Sequence, residues 1–234
     1  MLTRARDAGA VPVVVLSGPP GAGKTMLALS VAHSLRSRFP DGQLYVQLDG
    51  GSAQHRAAGE VLRDVLRGLG AAPASIPQSP GQRVALYRSW LTGRRVLVLA
   101  DDAYSARQVA PLLPPASGCA LIVTSRSRLS GLTGAGLVLV DSLDCGDAVE
   151  LLSRIVGPER VAAEPAAADR LVTACGLLPL AVRIASAMLA ARPGWSLARM
   201  ATLVADQRSL RAGLGFLGGI DAADAARVLV ASRC

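Results

Sequence analysis

The chain has 234 residues, 51% of them hydrophobic, and carries a formal net charge of +8. This length allows one full α/β domain and a smaller companion. No apolar run is long enough to span a bilayer, so we expect a cytoplasmic protein without a membrane partner. The basic residues are 24 Arg and a single Lys, and Asn does not occur, a composition typical of a GC-rich genome. Because the arginines are scattered and no helix-turn-helix pattern is evident, we expect no sequence-specific DNA binding by this segment.

Cysteine and histidine are too dispersed to indicate a metal cage. The four cysteines lie far apart without a CxxC pair, and we expect them to act as small buried hydrophobic residues rather than as zinc ligands or disulfides. The two histidines, His33 and His55, lie near no cluster of Cys or carboxylates and are expected on the surface or in packing positions.

Apolar runs and helical periodicity alternate through the first 143 residues. Strands are predicted at residues 11–16, 44–48, 96–100, 120–124 and 137–140. Helices are predicted between them, at residues 24–39, 61–69, 82–91 and 106–113. Five strands separated by helices indicate a parallel sheet that is covered on both faces.

The pattern changes after about residue 143, where strand signals stop. Helices are predicted at residues 147–156, 169–175, 180–191 and 197–206. We therefore expect a sheet domain over residues 1–143 and a small all-helical subdomain over residues 144–206. The tail, residues 207–234, is unassigned, and a short amphipathic helix at 222–230 is compatible with its pattern.

A glycine-rich turn follows the first strand and matches the P-loop pattern G-x-x-x-x-G-K-[ST]. Its glycines allow successive N–H groups to point inward at a phosphate, and the following helix adds the positive end of its dipole. Lys24 is expected to neutralise β- and γ-phosphate oxygens, and the Thr25 hydroxyl to complete a Mg²⁺ coordination sphere. The sequence therefore predicts ATP or ADP with Mg²⁺ as ligands. The predicted nucleotide contacts are Gly18, Pro19, Pro20, Gly21, Ala22, Gly23, Lys24, Thr25 and Met26.

Two carboxylates follow the predicted strand 96–100. Ligands of open parallel sheets bind at the carboxyl ends of the strands, which is where Asp101 and Asp102 are expected. We predict that Asp101 binds the metal, largely through its water shell, and that Asp102 polarises the attacking water. The alternative for the pair is a turn and an N-cap of the helix that follows.

The strand 120–124 leads into Thr124, Ser125 and Arg126, again at the carboxyl end of a strand. A guanidinium held at this edge is suited to sense or stabilise a γ-phosphate, so Arg126 is a candidate catalytic residue together with Asp102 and Lys24. Arg128, two residues further on, is expected to be an exposed loop arginine.

Four motifs in this order, GPPGAGKT, RRVLVLADDA, ALIVTSR and CGLLPLAVRIA, resemble the NB-ARC domain of the STAND class of P-loop ATPases. The form found in bacterial SARP-type transcriptional regulators is similar also in the phrases RFPDGQLYVQLDG and ARPGWSL. The resemblance covers residues 11–206 and implies the strand order 2-3-4-1-5. It also implies that Pro179 of the helical subdomain lies against the adenine.

The resemblance implies a regulatory switch that ADP holds off, that exchange for ATP turns on, and that slow hydrolysis resets. In the ATP state it leaves open a homo-oligomer or contacts with partner regulatory domains. Three features depart from the family pattern. Residues 1–10 hold no Gly-Arg segment for the adenine, the GLPL motif reads LLPL with its glycine displaced to Gly176, and no winged-helix histidine is found.

Two other functions remain open at this point. A small-molecule P-loop kinase would need an acceptor pocket and an arginine-rich lid. The segment from Arg126 to Arg128 is too short for such a lid, and Gly136 follows too soon. A non-catalytic module that binds ADP without turnover would need only the phosphate-binding residues.

Overall fold

A computed structural model describes residues 11–52, 55–115 and 118–214, with the side chains of the last range described as far as Asp206. The chain divides into two compact units, Met1–Asp141 and Ser142–Cys234. The predicted helix at 222–230 and Cys234 lie outside the described residues. Within the described ranges, no helix combines the length and apolar character that a bilayer-spanning segment needs.

The first unit is built on a five-stranded sheet in which every pairing is parallel. Its strands are β1 (Val13–Ser17), β2 (Gln43–Gln47), β3 (Leu97–Ala103), β4 (Ala120–Ser125) and β5 (Gly136–Leu139). Their order is β2-β3-β4-β1-β5, which confirms the predicted fold class and places β4 between β1 and β3. Because parallel strands end at a common edge, the residues that follow β1, β3 and β4 meet there.

Helices cover both faces of this sheet, which explains the uninterrupted apolar character of its central strands. They are α1 (Lys24–Ser34), α2 (Ala58–Gly68), α3 (Pro80–Leu91) and the single turn α4 (Ala106–Val109). Alternate residues of β1 point to opposite faces: Val14 and Leu16 share a buried cluster with Ala28 of α1. Val15 belongs to the cluster that holds Leu62 of α2.

Two helices of this unit are shorter than the sequence predicts. The helix predicted at 24–39 ends at Ser34, because Leu35 leaves helical geometry and a 3₁₀ turn at Arg36–Arg38 follows, ahead of the buried Phe39. The helix predicted at 106–113 is regular only as far as Val109. Pro111 cannot donate a backbone hydrogen bond, and the chain continues as a 3₁₀ turn at Ala110–Leu112.

The carboxyl-terminal half of β3 contains a β-bulge. Ala100 pairs with Val123 and Ala103 pairs with Ser125, so two residues of β3 lie opposite Thr124 alone. The bulge leaves hydrogen bonds to the segment after β2 in place, since Leu48 N–H donates to the Asp101 carbonyl over 2.9 Å. A bulge re-aims the side chains of its own residues. Because these hydrogen bonds continue past the bulge, β3 extends beyond the predicted end at residue 100 and both carboxylates lie within the strand.

The second unit is all-helical in its described part. Its helices are α5 (Cys145–Val156), α6 (Pro158–Ala163), α7 (Pro165–Ala174), α8 (Pro179–Ala190) and α9 (Leu197–Leu214). Its core contains Leu152, Leu171, Leu189 and Met200, which are all fully buried. Helix α6 was not predicted, because six residues between Gly157 and Glu164 are too few to show helical periodicity.

The link between α7 and α8 carries the LLPL motif. Gly176 has a φ of 67° and Leu177 a φ of 57°, so both residues adopt the left-handed conformation that favours glycine. Leu177, the first residue of the LLPL motif, thus adopts a backbone conformation that would be less strained for glycine. Among the described cysteines, Cys119 and Cys175 are buried, whereas Cys145 is exposed in the first turn of α5, contrary to prediction.

Candidate nucleotide-binding site

The glycine-rich turn between β1 and α1 forms an open cradle. Gly21 and Gly23 have φ values of 82° and 92°, which L-residues rarely adopt. Apart from its two chain neighbours, no described residue places a heavy atom within 4 Å of the position that a Cβ on Gly23 would take. Gly23 is also the N-cap of α1, whose first turn has no side-chain cap and no acidic residue. The N-terminus of α1 is therefore available to an anion.

Gly18 is required for a different reason, which is close approach of the backbone. A Cβ on Gly18 would lie 1.9 Å from the carbonyl oxygen of Val140, the residue after β5. The backbone there is held by the Val140 N–H, which donates to the Ser17 carbonyl over 2.8 Å. Close packing thus explains the need for glycine at Gly18, whereas the backbone dihedral angles explain it at Gly21 and Gly23.

Lys24 lies at the start of α1 with its ammonium folded over the loop. Its Nζ donates to the carbonyl oxygens of Gly18 and Pro19, each over 2.8 Å. Burial lowers the pKa of Lys24 and the charge of Arg126 acts in the same direction, whereas Asp102 and Asp101 act in the opposite direction. The ammonium is therefore held beside the cradle by hydrogen bonds to two carbonyl groups.

Asp101 is 5% exposed, and its carboxylate accepts hydrogen bonds from three hydroxyl groups on three different secondary-structure elements. Its Oδ1 accepts from Thr25 over 2.8 Å and from Thr124 over 2.5 Å. Its Oδ2 accepts from the Tyr45 hydroxyl over 2.8 Å. Burial raises the pKa of Tyr45, and the hydrogen bond to Asp101 adds to that rise. The carboxylate is thereby oriented from both oxygens, with the P-loop hydroxyl as one of its partners.

Asp102 occupies the second position of the bulge with a φ of 52°. Its N–H donates to Thr124 Oγ1 over 2.9 Å, so one hydroxyl contacts both acids. The Oδ2 of Asp102 accepts from Gly51 N–H over 2.7 Å. Its Oδ1 lies 3.6 Å from Nε of Arg126, a half-exposed ion pair that contributes less than about 1 kcal/mol to stability.

The alternative in which either acid caps the following helix is wrong. The N-cap of α4 is Ser105, whose hydroxyl accepts from Gln108 N–H over 3.3 Å. Asp101 and Asp102 remain within β3 and face the P-loop and Arg126 instead. Arg128 is exposed, as expected for a loop arginine.

Gly50 and Gly51, which follow β2, pack against the bulge in different ways. A Cβ on Gly50 would lie 2.4 Å from the Asp102 carbonyl oxygen and 2.7 Å from Tyr104 N, both backbone atoms. A Cβ on Gly51 would lie 2.0 Å from Nη2 of Arg126, the mobile end of a long side chain. We expect Gly50→Ala to lower the free energy of unfolding by about 1–3 kcal/mol, because backbone must move. Gly51→Ala is expected to stay within about 0.5 kcal/mol of the wild type.

Denaturant unfolding of the two variants side by side measures this difference. Each adds the same methyl group, so Gly51→Ala controls for composition and for the unfolded state. An equal loss of stability in both variants would contradict the packing described around Gly50.

The polar groups at this edge of the sheet fit a nucleotide phosphate together with a divalent cation. The cradle offers left-handed glycines, space at Gly23, an uncapped helix N-terminus and one ammonium, which is the chemistry that recognises phosphate. Thr25 and Asp101 supply oxygen ligands of the kind that Mg²⁺ prefers, and they already contact each other.

The structure places the predicted P-loop residues, both acids and Arg126 at one edge of the sheet. Met26 is in the first turn of α1 and is 48% exposed. Pro179 is the first residue of α8 in the second unit, and its contact with adenine stays a prediction. The sequence alone did not point to Tyr45 or Gly51. Both lie in or just after β2, and the implied pairing of β2 with β3 was the signal that pointed to this region.

Comparisons with known proteins agree with this geometry. The profile of the NB-ARC domain matches residues 1–162. Regulatory protein AfsR of Streptomyces griseus is 49% identical over 202 residues, which are 86% of this chain and 21% of that protein. Regulatory protein AfsR of Streptomyces coelicolor is 52% identical over 196 residues, or 84% of this chain and 20% of the relative. The chain thus spans about a fifth of the length of these relatives.

Solved structures share the fold at low sequence identity. A Walker-type ATPase of Pyrococcus abyssi superposes with a TM-score of 0.54 at 13% identity, covering 92% of this chain and 75% of that one. The origin recognition complex of Drosophila bound to DNA gives a TM-score of 0.54 at 13% identity, with 90% and 63% covered. The P-loop NTPase fold implies nucleotide binding, and the relatives are regulatory proteins. The chain belongs to the NB-ARC domain family.

Proposed function

We propose that this chain is a nucleotide-dependent regulatory switch that binds ATP and ADP with Mg²⁺, hydrolyses ATP slowly and serves transcriptional regulation. The observation that carries the proposal is the buried Asp101 carboxylate, which accepts a hydrogen bond from the P-loop residue Thr25 beside an uncapped helix N-terminus. Residues 1–143 would bind the nucleotide, and residues 144–206 would form the helical subdomain that contributes Pro179 to the adenine.

We expect phosphate binding to exchange the partners of Lys24. Its ammonium donates to two loop carbonyls over 2.8 Å each, and charged phosphate oxygens are stronger acceptors than these neutral carbonyls. The N–H groups at the start of α1 add donors and a positive partial charge. The phosphate-binding residues of the proposal are therefore Gly18 to Thr25, with Met26 following in the first turn of the helix.

Thr25 and Asp101 are the residues that would hold Mg²⁺. When bound, the metal supplies neutralisation of the charge that develops on the phosphate oxygens during transfer. Thr25 can redirect its hydroxyl oxygen toward a metal without leaving Asp101 unoriented, because Thr124 and Tyr45 still donate to that carboxylate.

Asp102 and Arg126 are the proposed catalytic residues besides Lys24. Asp102 would polarise the attacking water, and Arg126 would contact the γ-phosphate. The pair forms an ion contact of 3.6 Å, and Gly51 N–H donates to the same Asp102 carboxylate. A γ-phosphate that attracts Arg126 would therefore free one Asp102 oxygen, which links catalysis to the presence of a triphosphate.

Asp102→Asn tests the hydrolytic part of the proposal. We expect ATP turnover to fall about 100-fold, because a general base contributes at least this factor and an amide is not basic. The affinity for ATP should stay within about twofold, since Asn can still accept from Gly51. Phosphate release in single-turnover reactions and fluorescent-nucleotide titration measure the two quantities. Unchanged turnover would show that Asp102 only holds Gly51 and Arg126 in place.

A non-catalytic ADP-binding module is the second candidate, and one observation favours it. Both Asp102 oxygens are already engaged, one by Gly51 N–H at 2.7 Å and the other near Arg126. Tight ADP binding by the wild-type chain without any release of phosphate from ATP would establish this candidate. The switch leaves open a homo-oligomer or contacts with partner regulatory domains in the ATP state, and we expect no sequence-specific DNA binding by this segment.

A further inference from the structure

Tyr45 lies beside the proposed metal carboxylate and is not part of the P-loop motif. It belongs to β2, the edge strand of the sheet, and is 52% exposed. The register pairs Tyr45 with Leu99 and Gln47 with Asp101, so the ring reaches Asp101 diagonally across the strand pair. Its hydroxyl lies 2.8 Å from Oδ2 of Asp101.

The number of protons that this hydroxyl can donate determines its role. The Tyr45 hydroxyl has one proton and is also 2.7 Å from the side-chain oxygen of Gln47. An ionised carboxylate only accepts, so the hydroxyl donates its single proton to Asp101. A half-turn of the Gln47 amide would place its nitrogen, instead of its oxygen, at the hydroxyl. In that orientation Gln47 donates to Tyr45 and Tyr45 donates to Asp101.

The other oxygen of Asp101 is shared by Thr25 and Thr124. The Thr25 oxygen can bind a metal through a lone pair while its proton still donates to Oδ1. Among the described residues, Thr25 and Thr124 therefore orient Oδ1, and Tyr45 orients Oδ2. A carboxylate that holds a metal, directly or through water, must keep its orientation after the metal enters, and partners of this kind set metal affinity. Without Tyr45, rotation of the carboxylate is opposed from one side only.

We infer that Tyr45 is a positioning residue for Mg²⁺-dependent nucleotide binding, supported by Gln47. This inference rests on the proposed function, because it requires Asp101 to hold the metal. It predicts that the Tyr45 hydroxyl matters for the Mg²⁺-dependent part of nucleotide affinity and leaves the part due to the P-loop alone unaffected.

The test is titration of the full chain with a fluorescent ATP analogue, once in EDTA and once over a range of Mg²⁺ concentrations. Tyr45→Phe should leave the affinity in EDTA within about twofold. The Mg²⁺-dependent gain in affinity should shrink about tenfold, the lower end of the range for such partners, because Thr124 remains. Gln47→Leu should give a smaller loss in the same direction, since it removes only the donor to Tyr45.

Tyr104→Phe is the matched control, because Tyr104 is 58% exposed and its ring stacks on His55 away from Asp101. The control should behave as the wild type. An undiminished Mg²⁺-dependent gain in Tyr45→Phe overturns the inference and leaves the proposed function standing. Equal losses in EDTA and in Mg²⁺ also overturn it, since they indicate a structural role. A wild-type chain without any Mg²⁺-dependent gain overturns the proposed metal site itself.

Discussion

Lys24→Ala is expected to weaken binding of ATP and ADP about tenfold to a hundredfold while the fold stays intact. The substitution removes one charge-assisted contact with phosphate, which contributes on the order of 1.5–3 kcal/mol. In the free protein the ammonium donates to the carbonyls of Gly18 and Pro19. Those carbonyls flank an open cradle where water can replace the ammonium, so little stability is lost.

Isothermal titration calorimetry with each nucleotide measures the loss, and thermal unfolding verifies the fold. Arg128→Ala is the matched control, because it removes a positive charge from the exposed loop after β4 without touching the P-loop. An equal loss of affinity in both variants would indicate general electrostatic attraction instead. Unchanged affinity in Lys24→Ala would remove the assignment of the loop as a phosphate site.

Asp101→Asn is expected to abolish most of the tightening that Mg²⁺ gives to nucleotide binding, a loss on the order of a hundredfold. The substitution removes the negative charge and replaces one acceptor oxygen with an NH₂ donor. Three hydroxyl donors converge on this carboxylate, from Thr25, Thr124 and Tyr45. An amide can accept only through its single oxygen, so at least one hydroxyl must turn away.

Binding in EDTA should change little in Asp101→Asn, because the P-loop and Lys24 are untouched. The same fluorescent titration, with and without Mg²⁺, separates the two contributions. Asp102→Asn is the control, since it makes the same chemical change one residue further along the bulge. If both variants lose the Mg²⁺ effect equally, the metal does not distinguish the two acids and Asp101 has no special role.

Sequence predicted the strands of the sheet to within a few residues at each end, because buried parallel strands are continuous apolar runs. The end of β3 was placed too early. Asp101 and Asp102 break the apolar run, yet they remain in the strand because β2 and its following loop pair with them. The predicted helix ends were wrong where a short 3₁₀ turn follows the helix, at Arg36–Arg38 and at Ala110–Leu112. Local propensity does not distinguish these turns from one more turn of helix.

The P-loop was readable from sequence because its function is encoded in eight consecutive residues. The partners of Asp101 and Asp102 were not, since they depend on how separate segments align. Tyr45 reaches Asp101 only through the register between β2 and β3. Gly51 contacts Asp102 only because the chain after β2 turns back over the bulge. Neither residue has a motif of its own, and both are recognisable once strand pairing is known.

The bulge in β3 makes the number of residues in this strand as important as their identity. With one residue more than β4 between the paired positions, β3 presents Asp101 to Thr25 and Asp102 to Arg126. Deleting either aspartate would restore the regular alternation of side chains along β3. A single carboxylate would then remain where both Thr25 and Arg126 need one. Shortening by one residue should therefore be more damaging than neutralising either side chain. The length of this segment therefore constrains the site more strongly than the chemistry of the two side chains.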